Sequence, residues 1–412
     1  MYIKFNGFEF IDGGICAPIG FKAAGVHCGI RKNKSKRDLA MVCCDKLCNT
    51  AAIYTTNKVK GATLKVTKNN ISNGKAQAMI MNSGNANTCN ADGEEKATAM
   101  CQIAAKALSI DPSDVIVAST GVIGQILPIE PIEQAVPALA ANLSKDGASD
   151  AAEAIMTTDT FKKEIAVEFQ LGGKICRIGG MAKGSGMIHP NMATMLCFLT
   201  TDVAICPELL QIAIKQVSDI TFNMISIDGD TSTNDMVSIL ASGEAENKEI
   251  ECNDKDYEIF VNALYVVMMN LSRALASDGE GASKLLECTV TGAPDDNTAR
   301  VIAKSVITSS LFKAAMFGSD ANWGRVLCAI GYADADFDID DIAVTFASKA
   351  GSINVCKHGA GVDFDEDTAK KILSEDEIKI LIQLTEDGEG SAVAWGCDLT
   401  YDYVKINGDY RT

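Results

Sequence analysis

The stretch Gly179-Gly-Met-Ala-Lys-Gly-Ser-Gly-Met-Ile-His-Pro-Asn-Met-Ala-Thr-Met-Leu196 constrains this chain more than any other. Gly179, Gly180, Gly184 and Gly186, with Pro190-Asn191, shape a stiff loop, and Thr194 opens an apolar run that reads as a strand over 195–203. One reading is a plain glycine-rich turn entering a strand. The sharper reading concerns Ala193 and Thr194. A small residue before a β-hydroxyl residue, held in a rigid loop, is what intramolecular self-cleavage requires. The hydroxyl attacks the preceding carbonyl, an N→O acyl shift gives an ester, and hydrolysis frees a new N-terminal threonine. Such a threonine carries nucleophile and base together, because its α-amine, with an ordinary pKa near ~7.7–8.0, can take the hydroxyl proton at neutral pH.

Neighbouring motifs offer other chemistries, and each fails on a particular residue. Arg177-Ile-Gly-Gly180-Met-Ala182 fits the loose pattern that wraps the pyrophosphate of acyl-CoA, but that site needs a helix N-terminus directly after the loop. Gly184-Ser-Gly186 and Pro190 follow instead. Lys183 does not follow the glycine frame of a P-loop. Asp228-Gly-Asp230-Thr231 has the start of a phosphoryl-transfer site without a second set of metal ligands. The acidic ladder Asp334–Asp341 lacks the glycine of a calcium loop and has Thr345 where the bidentate glutamate belongs, so it reads as a solvated strand edge. His189, a lone loop histidine, reads as incidental.

Composition narrows the class further. Cys43, Cys44 and Cys48 form the one dense group among 15 cysteines, without a CxxC or a partner group at zinc-like spacing, and there are only 3 histidines. Reduced, mostly buried cysteines are therefore expected, with no metal and no bound cofactor, in a cytoplasmic protein. No apolar signal segment is visible at the start. The longest apolar run within 257–275 is Ala263–Met269, short of the roughly 20 residues a bilayer requires. A net charge of −17 argues against nucleic acid or an anionic membrane as partner. That charge is uneven: residues 1–193 hold 21 Lys and Arg against 17 Asp and Glu, a net +4, leaving −21 on residues 194–412.

Short β-rich runs alternate with helical ones. Strands are expected at 78–81, 115–118, 161–169 and 195–203, with an Asn/Gly turn over Asn82–Asn87. Helices are expected at 94–108, 131–143, 207–217, 257–275 and 367–383. This is a mixed α/β pattern with broad, interleaved sheets.

Lys183-Gly-Ser-Gly-Met-Ile-His-Pro-Asn-Met-Ala-Thr-Met-Leu196 closely resembles the self-cleavage signature of the ornithine acetyltransferase (glutamate N-acetyltransferase) family of arginine biosynthesis. The likeness covers essentially the whole chain. Ala17–Phe21, Asn82–Asn87, Ser119–Gly124, Met156–Asp159, Asp278–Ala282, Phe317–Arg325 and Asn407–Thr412 follow in the family's order.

The resemblance implies a layered αββα-like sandwich of stacked sheets flanked by helices, built from both cleavage fragments. Residues 1–193 would be the α chain and 194–412 the β chain, two of each forming a heterotetramer. Thr194, exposed by cleavage after Ala193, would carry the acetyl group as an ester, and Thr120 with Gly121 would form the oxyanion hole. Thr157, Lys183, Thr194, Glu280, Asn407 and Thr412 would bind substrate. The implied reaction moves acetyl from N-acetylornithine to glutamate, releasing ornithine and N-acetylglutamate, with acetyl-CoA a further donor in part of the family. A C-terminus folded over the site, with Asn407 and Thr412 against substrate, would keep water from the ester. Two rivals stand beside this reading: an N-terminal-nucleophile aminopeptidase or amidase on a related scaffold, and a binding protein that has lost catalysis.

Overall fold

Two strands from beyond residue 193 lie inside a sheet that the N-terminal part of the chain builds. The structure, a computed structural model, describes residues 2–189 and 195–408. In it, Leu196–Thr201 pairs antiparallel with Lys174–Lys183 and parallel with Met236–Ala241, which in turn pairs antiparallel with the second half of Leu39–Tyr54. Both inserted strands, LCFLTT and MVSILA, are buried at every position, as expected of apolar runs covered on both faces. Among the described residues this larger sheet has nine strands. Edge to edge it runs Phe8–Phe10, Lys163–Leu171, Lys174–Lys183, Leu196–Thr201, Met236–Ala241, Leu39–Tyr54, Lys75–Asn85 and Val115–Val122, with Phe21–Val26 paired to the first half of Leu39–Tyr54. Leu39–Tyr54 can serve neighbours along both halves because its pairing shifts register between Cys43 and Cys48.

Among the described residues a second sheet has seven strands and lies wholly beyond residue 224. Its order is Ala360–Gly361, Gly351–Lys357, Ala343–Ser348, Glu377–Gln383, Leu285–Ala293, Gly390–Cys397 and Ile225–Ser226. The helix Lys255–Ser277 packs against Lys163–Leu171 and Lys174–Lys183 of the first sheet and against Leu285–Ala293 and Gly390–Cys397 of the second. The Asp254 carboxylate caps it, accepting from the amides of Asp256 and Tyr257 at 3.0 and 3.1 Å. Arg273, buried near its end, pairs with Glu287 of the second sheet and lies 2.6 Å from Glu377. Helices Ala148–Ala154 and Pro207–Ile220 pack on the first sheet, and Asp296–Thr308 packs on the second. The result is the expected α/β architecture of stacked sheets flanked by helices.

Several expectations need amendment. Lys255–Ser277 has the length and hydropathy of a membrane span, unlike the short apolar run read from the sequence, but its faces are buried between the sheets. Residues 367–383 are not one helix. Glu366–Leu373 is helical, and Glu377–Gln383 is a strand in which Ile378, Ile380 and Ile382 are buried in alternation. The strand expected at 115–118 continues to Val122, and the one at 78–81 runs from Lys75 to Asn85, so most of the expected Asn/Gly turn is sheet. The acidic ladder lies in turns before the strand Ala343–Ser348 rather than along its edge. All 15 cysteines are free, and no metal-ligating group of His, Cys, Asp and Glu occurs among the described residues.

Phe198, at the centre of Leu196–Thr201, is fully buried. Phe198→Ala should lower unfolding stability by about 3–5 kcal/mol, read as a shift in the urea midpoint with little change in slope.

Candidate active site

The strand Val115–Val122 pairs in parallel with Lys75–Asn85, placing Ser83 opposite Thr120 and Gly84 opposite Gly121. Gly121 adopts φ +134°, and a Cβ there would stand 2.3 Å from the carbonyl carbon of Gly84. Only glycine lets the two backbones close at this point, and that closure delivers Thr120 to a cavity between the strand ends. Lys183, the last residue of Lys174–Lys183, enters the same cavity and donates from Nζ to Thr120 Oγ1 at 3.3 Å. A hydroxyl that accepts from lysine still has its own proton to offer, so Thr120 can donate to an oxygen that gains negative charge.

Behind Lys183 lies a buried ionic network that sequence reading missed. Asp159 Oδ2 accepts from the Thr157 amide at 2.9 Å, and Oδ1 accepts from the Gly184 amide at 2.7 Å. Lys163 Nζ, with no exposed side-chain surface, bridges Asp159 Oδ1 at 2.7 Å and Asp278 Oδ2 at 2.6 Å. Asp278 also accepts from the Thr160 amide at 3.0 Å. One carboxylate thus fixes both Thr157 and the turn after Lys183, and the lysine ties them to the start of the 278–282 loop. Burial alone would raise the Asp159 carboxyl, but the charges of Lys163 and Lys183 outweigh it and hold the group well below the usual carboxylate range. Burial pushes the Lys183 ammonium down, with Asp159 and Asp235 opposing that shift.

Glu280 borders the cavity from another side. Its amide donates to the Ser185 carbonyl at 2.8 Å, and its carboxylate Oε2 accepts from Asn407 Nδ2 at 2.7 Å. A Cβ on Gly186 would fall 2.4 Å from the same carboxylate oxygen, so a side chain at 186 would displace Glu280. Asn407 ends the helix Tyr401–Asn407, whose cap, Thr400, donates to the Gly281 carbonyl at 2.7 Å.

Thr120, Gly121, Thr157, Lys183, Glu280 and Asn407 therefore line one cavity. Ala193, Thr194 and Thr412 lie outside the described residues. Met195 and Leu196, which follow Thr194 in sequence, border that cavity too. Asp228, considered above as a phosphoryl-transfer residue, instead accepts from the amides of Met187 and Ile188 at 2.6 and 2.9 Å and so holds the loop. His189 Nδ1 lies 3.1 Å from Ser226 Oγ. Burial and the Lys304 charge push its ring down to about 4 against the pull of Asp228, so it is neutral at pH 7.

This wall of donors, with a buried lysine and a carboxylate on another side, suits a reaction in which an oxygen gains negative charge. The profile of the ArgJ family matches residues 22–412. The chain is 48% identical over 405 residues to the arginine biosynthesis bifunctional protein ArgJ of Caldanaerobacter subterraneus subsp. tengcongensis, covering 98% of this chain and 100% of that one. It is 49% identical over 393 residues to ArgJ 1 of Clostridium acetobutylicum, covering 95% and 96%. The crystal structure of the Bacillus halodurans ArgJ protein matches with a TM-score of 0.50 and 44% identity, over 52% of this chain and 99% of that chain. The chain belongs to the ArgJ family and is an acyltransferase of arginine biosynthesis.

Removing one member of the buried network should be costly. Asp159→Asn should destabilise by about 3–5 kcal/mol at pH 7, because Lys163 loses half of its compensation. A carboxyl depressed on folding contributes its stability above its unfolded pKa, ~3.9, and loses it as pH falls below that value. The gap between wild type and Asp159→Asn in urea unfolding should therefore be constant from pH 7 to 5 and shrink toward pH 3. A gap that does not change with pH would show that the Asp159 charge is not what stabilises the fold.

Proposed function

We propose that the chain cleaves itself between Ala193 and Thr194 and that Thr194 then carries acetyl from N-acetylornithine to glutamate as an ester. The observation that carries this reading is the convergence of Thr120, Gly121, Thr157, Lys183, Glu280 and Asn407 on the cavity where the strand after Thr194 begins. In the first half-reaction the Thr194 hydroxyl attacks the acetyl carbonyl while its own α-amine takes the proton. Thr120 and Gly121 stabilise the tetrahedral oxyanion, and ornithine leaves. In the second, the amine of glutamate attacks the ester and N-acetylglutamate departs, with acetyl-CoA as a further donor to the same threonine. In this scheme Lys183 receives the α-carboxylate shared by donor and acceptor, and Glu280 receives the side-chain ammonium of ornithine. Thr412 completes the substrate contacts, as the family resemblance implies. No bound cofactor has a part in these steps.

Membership of an acyltransferase family favours transfer over the aminopeptidase alternative. Cleavage is supported by the Bacillus halodurans match, in which 52% of this chain spans 99% of that one, so the solved chain is about half as long. The proposal includes a cytoplasmic heterotetramer of two α and two β fragments.

Intact-mass measurement of the purified protein should show two species, of 193 and 219 residues, the larger beginning at Thr194. Thr194→Ala should give one chain of 412 residues with no transferase activity. A single uncleaved wild-type chain would contradict the proposal. The fragments, net +4 and −21, should stay together in 1 M salt and separate only in denaturant, because buried strands from both share one sheet. Gel filtration in each solvent reads this directly.

A further inference from the structure

One carboxylate on the cavity wall has no place in that scheme. Asp235 immediately precedes the strand Met236–Ala241, which pairs with Leu196–Thr201 so that Met236 stands opposite Leu196 and its amide donates to the Met195 carbonyl at 3.0 Å. Asp235 is therefore the next position along, beside Met195, and it lines the cavity with Lys183 and Thr120. It is 2% exposed, and its Oδ2 has no hydrogen-bond partner among the described residues. The neighbouring Asn234 side chain, by contrast, uses all of its hydrogen-bonding capacity. Asn234 donates to the carbonyls of Ala86 and Ser119 at 2.6 and 3.0 Å and accepts from Thr88 and Thr233 at 2.6 and 2.5 Å. A buried polar atom left open in a native fold is uncommon, and this one belongs to a residue that lines the cavity.

We propose that Asp235 holds the extra proton that separates the substrate's ammonium from its reactive amine, giving it to the leaving amine and taking it from the incoming one. This rests on the acetyl-transfer reading above. When the donor's amide C–N bond breaks and the ester C–O bond forms, the threonine hydroxyl proton reaches nitrogen and makes a neutral amine. The Asp235 carboxyl protonates that amine, which leaves as ammonium. The acceptor arrives as ammonium and returns a proton to the Asp235 carboxylate. Its free amine then attacks the acetyl carbon, the ester C–O bond breaks, and a second nitrogen proton passes to the threonine oxygen. The cycle exchanges no net proton with water. Burial raises the Asp235 carboxyl well above its ordinary range, with the Ser232 hydroxyl and the Lys183 charge opposing, so the group can begin as the acid. The charged groups around it are Lys183 on its own wall, Glu280 on another, and the Asp159–Lys163 pair behind Lys183.

The test uses the full-length protein and two acceptors, glutamate and hydroxylamine, the second being already neutral at pH 7. Asp235→Asn should still self-cleave, since Asp235 has no part in that step. Its transfer to glutamate at pH 7 should fall by about 10²-fold or more and climb toward high pH, where the acceptor's amine loses its proton unaided. Loading by N-acetylornithine should slow as well, so both acceptors are given to isolated acetyl-enzyme, whose emptying by hydroxylamine should stay near wild type. An equal loss with both acceptors at every pH would overturn the proposal in favour of a structural role. Should Asp235→Asn not mature, the wild-type pH profile decides. An acid-side limb in acetyl-enzyme breakdown with glutamate and not with hydroxylamine supports the proposal, and the same limb with both overturns it. A wild type that forms no acetyl-enzyme would refute the underlying acetyl-transfer reading itself.

Discussion

The pairing of Lys183 with Leu196 is the constraint on which the rest of this molecule depends. These two residues face each other across adjacent antiparallel strands, so the strand that ends at Lys183 and the strand that begins at Leu196 meet at one point of the sheet. A chain cut between them keeps both strands in place, because each is held by its other neighbours and by the core. Leu196–Thr201 is flanked by Lys174–Lys183 on one side and Met236–Ala241 on the other, and all its residues are buried. The fold thus permits a new chain end to open at the site without loss of the packed structure around it.

The same geometry explains why so many charges sit below the surface here. Lys183 is carried into a buried position by its strand, and a buried cation needs an anion nearby. Asp159 meets that need at second hand: it shares its charge with Lys163 and spends its hydrogen bonds on the Thr157 and Gly184 amides. Asp278 completes the pairing of Lys163 and leads directly into the turn that carries Glu280. Residues far apart in sequence are therefore positioned by one ionic cluster, which links the precision of the site to the stability of the fold.

Six residues that the family resemblance brought together in sequence line one cavity, and several of them lie in short, glycine-marked motifs. Gly121 beside Gly84 is needed wherever two strands must approach backbone to backbone, and Gly186 leaves room for Glu280. Periodicity also located the helices at 94–108, 131–143 and 207–217 within a few residues. It failed over 367–383, where a helix and a strand follow each other across Ser374-Glu375-Asp376 and their apolar positions merge into one apparent helical stripe. It also stopped the strand at Ala118, although the parallel pairing continues through Thr120 and Gly121. Lys163 and Asp235 could not have been found this way. Lys163 resembles its exposed neighbour Lys162 in sequence, and only a contact with Asp278, 115 positions away, makes it a buried residue. Asp235 sits in a polar run whose other members are satisfied within the fold, and only the three-dimensional arrangement shows that one oxygen is left open.

Acetyl transfer through Thr194, as proposed above, predicts an acetyl ester on that residue that is emptied by glutamate faster than by water. The most direct measurement treats the protein with N-acetylornithine labelled in its acetyl group, quenches in acid, and maps the label by peptide mass spectrometry. It then chases the loaded protein with glutamate. The account predicts label on the peptide beginning with Thr194 as an acid-stable, base-labile ester, and its recovery in N-acetylglutamate with little free acetate. Label found on another residue, or released mainly as acetate in the presence of glutamate, would contradict it.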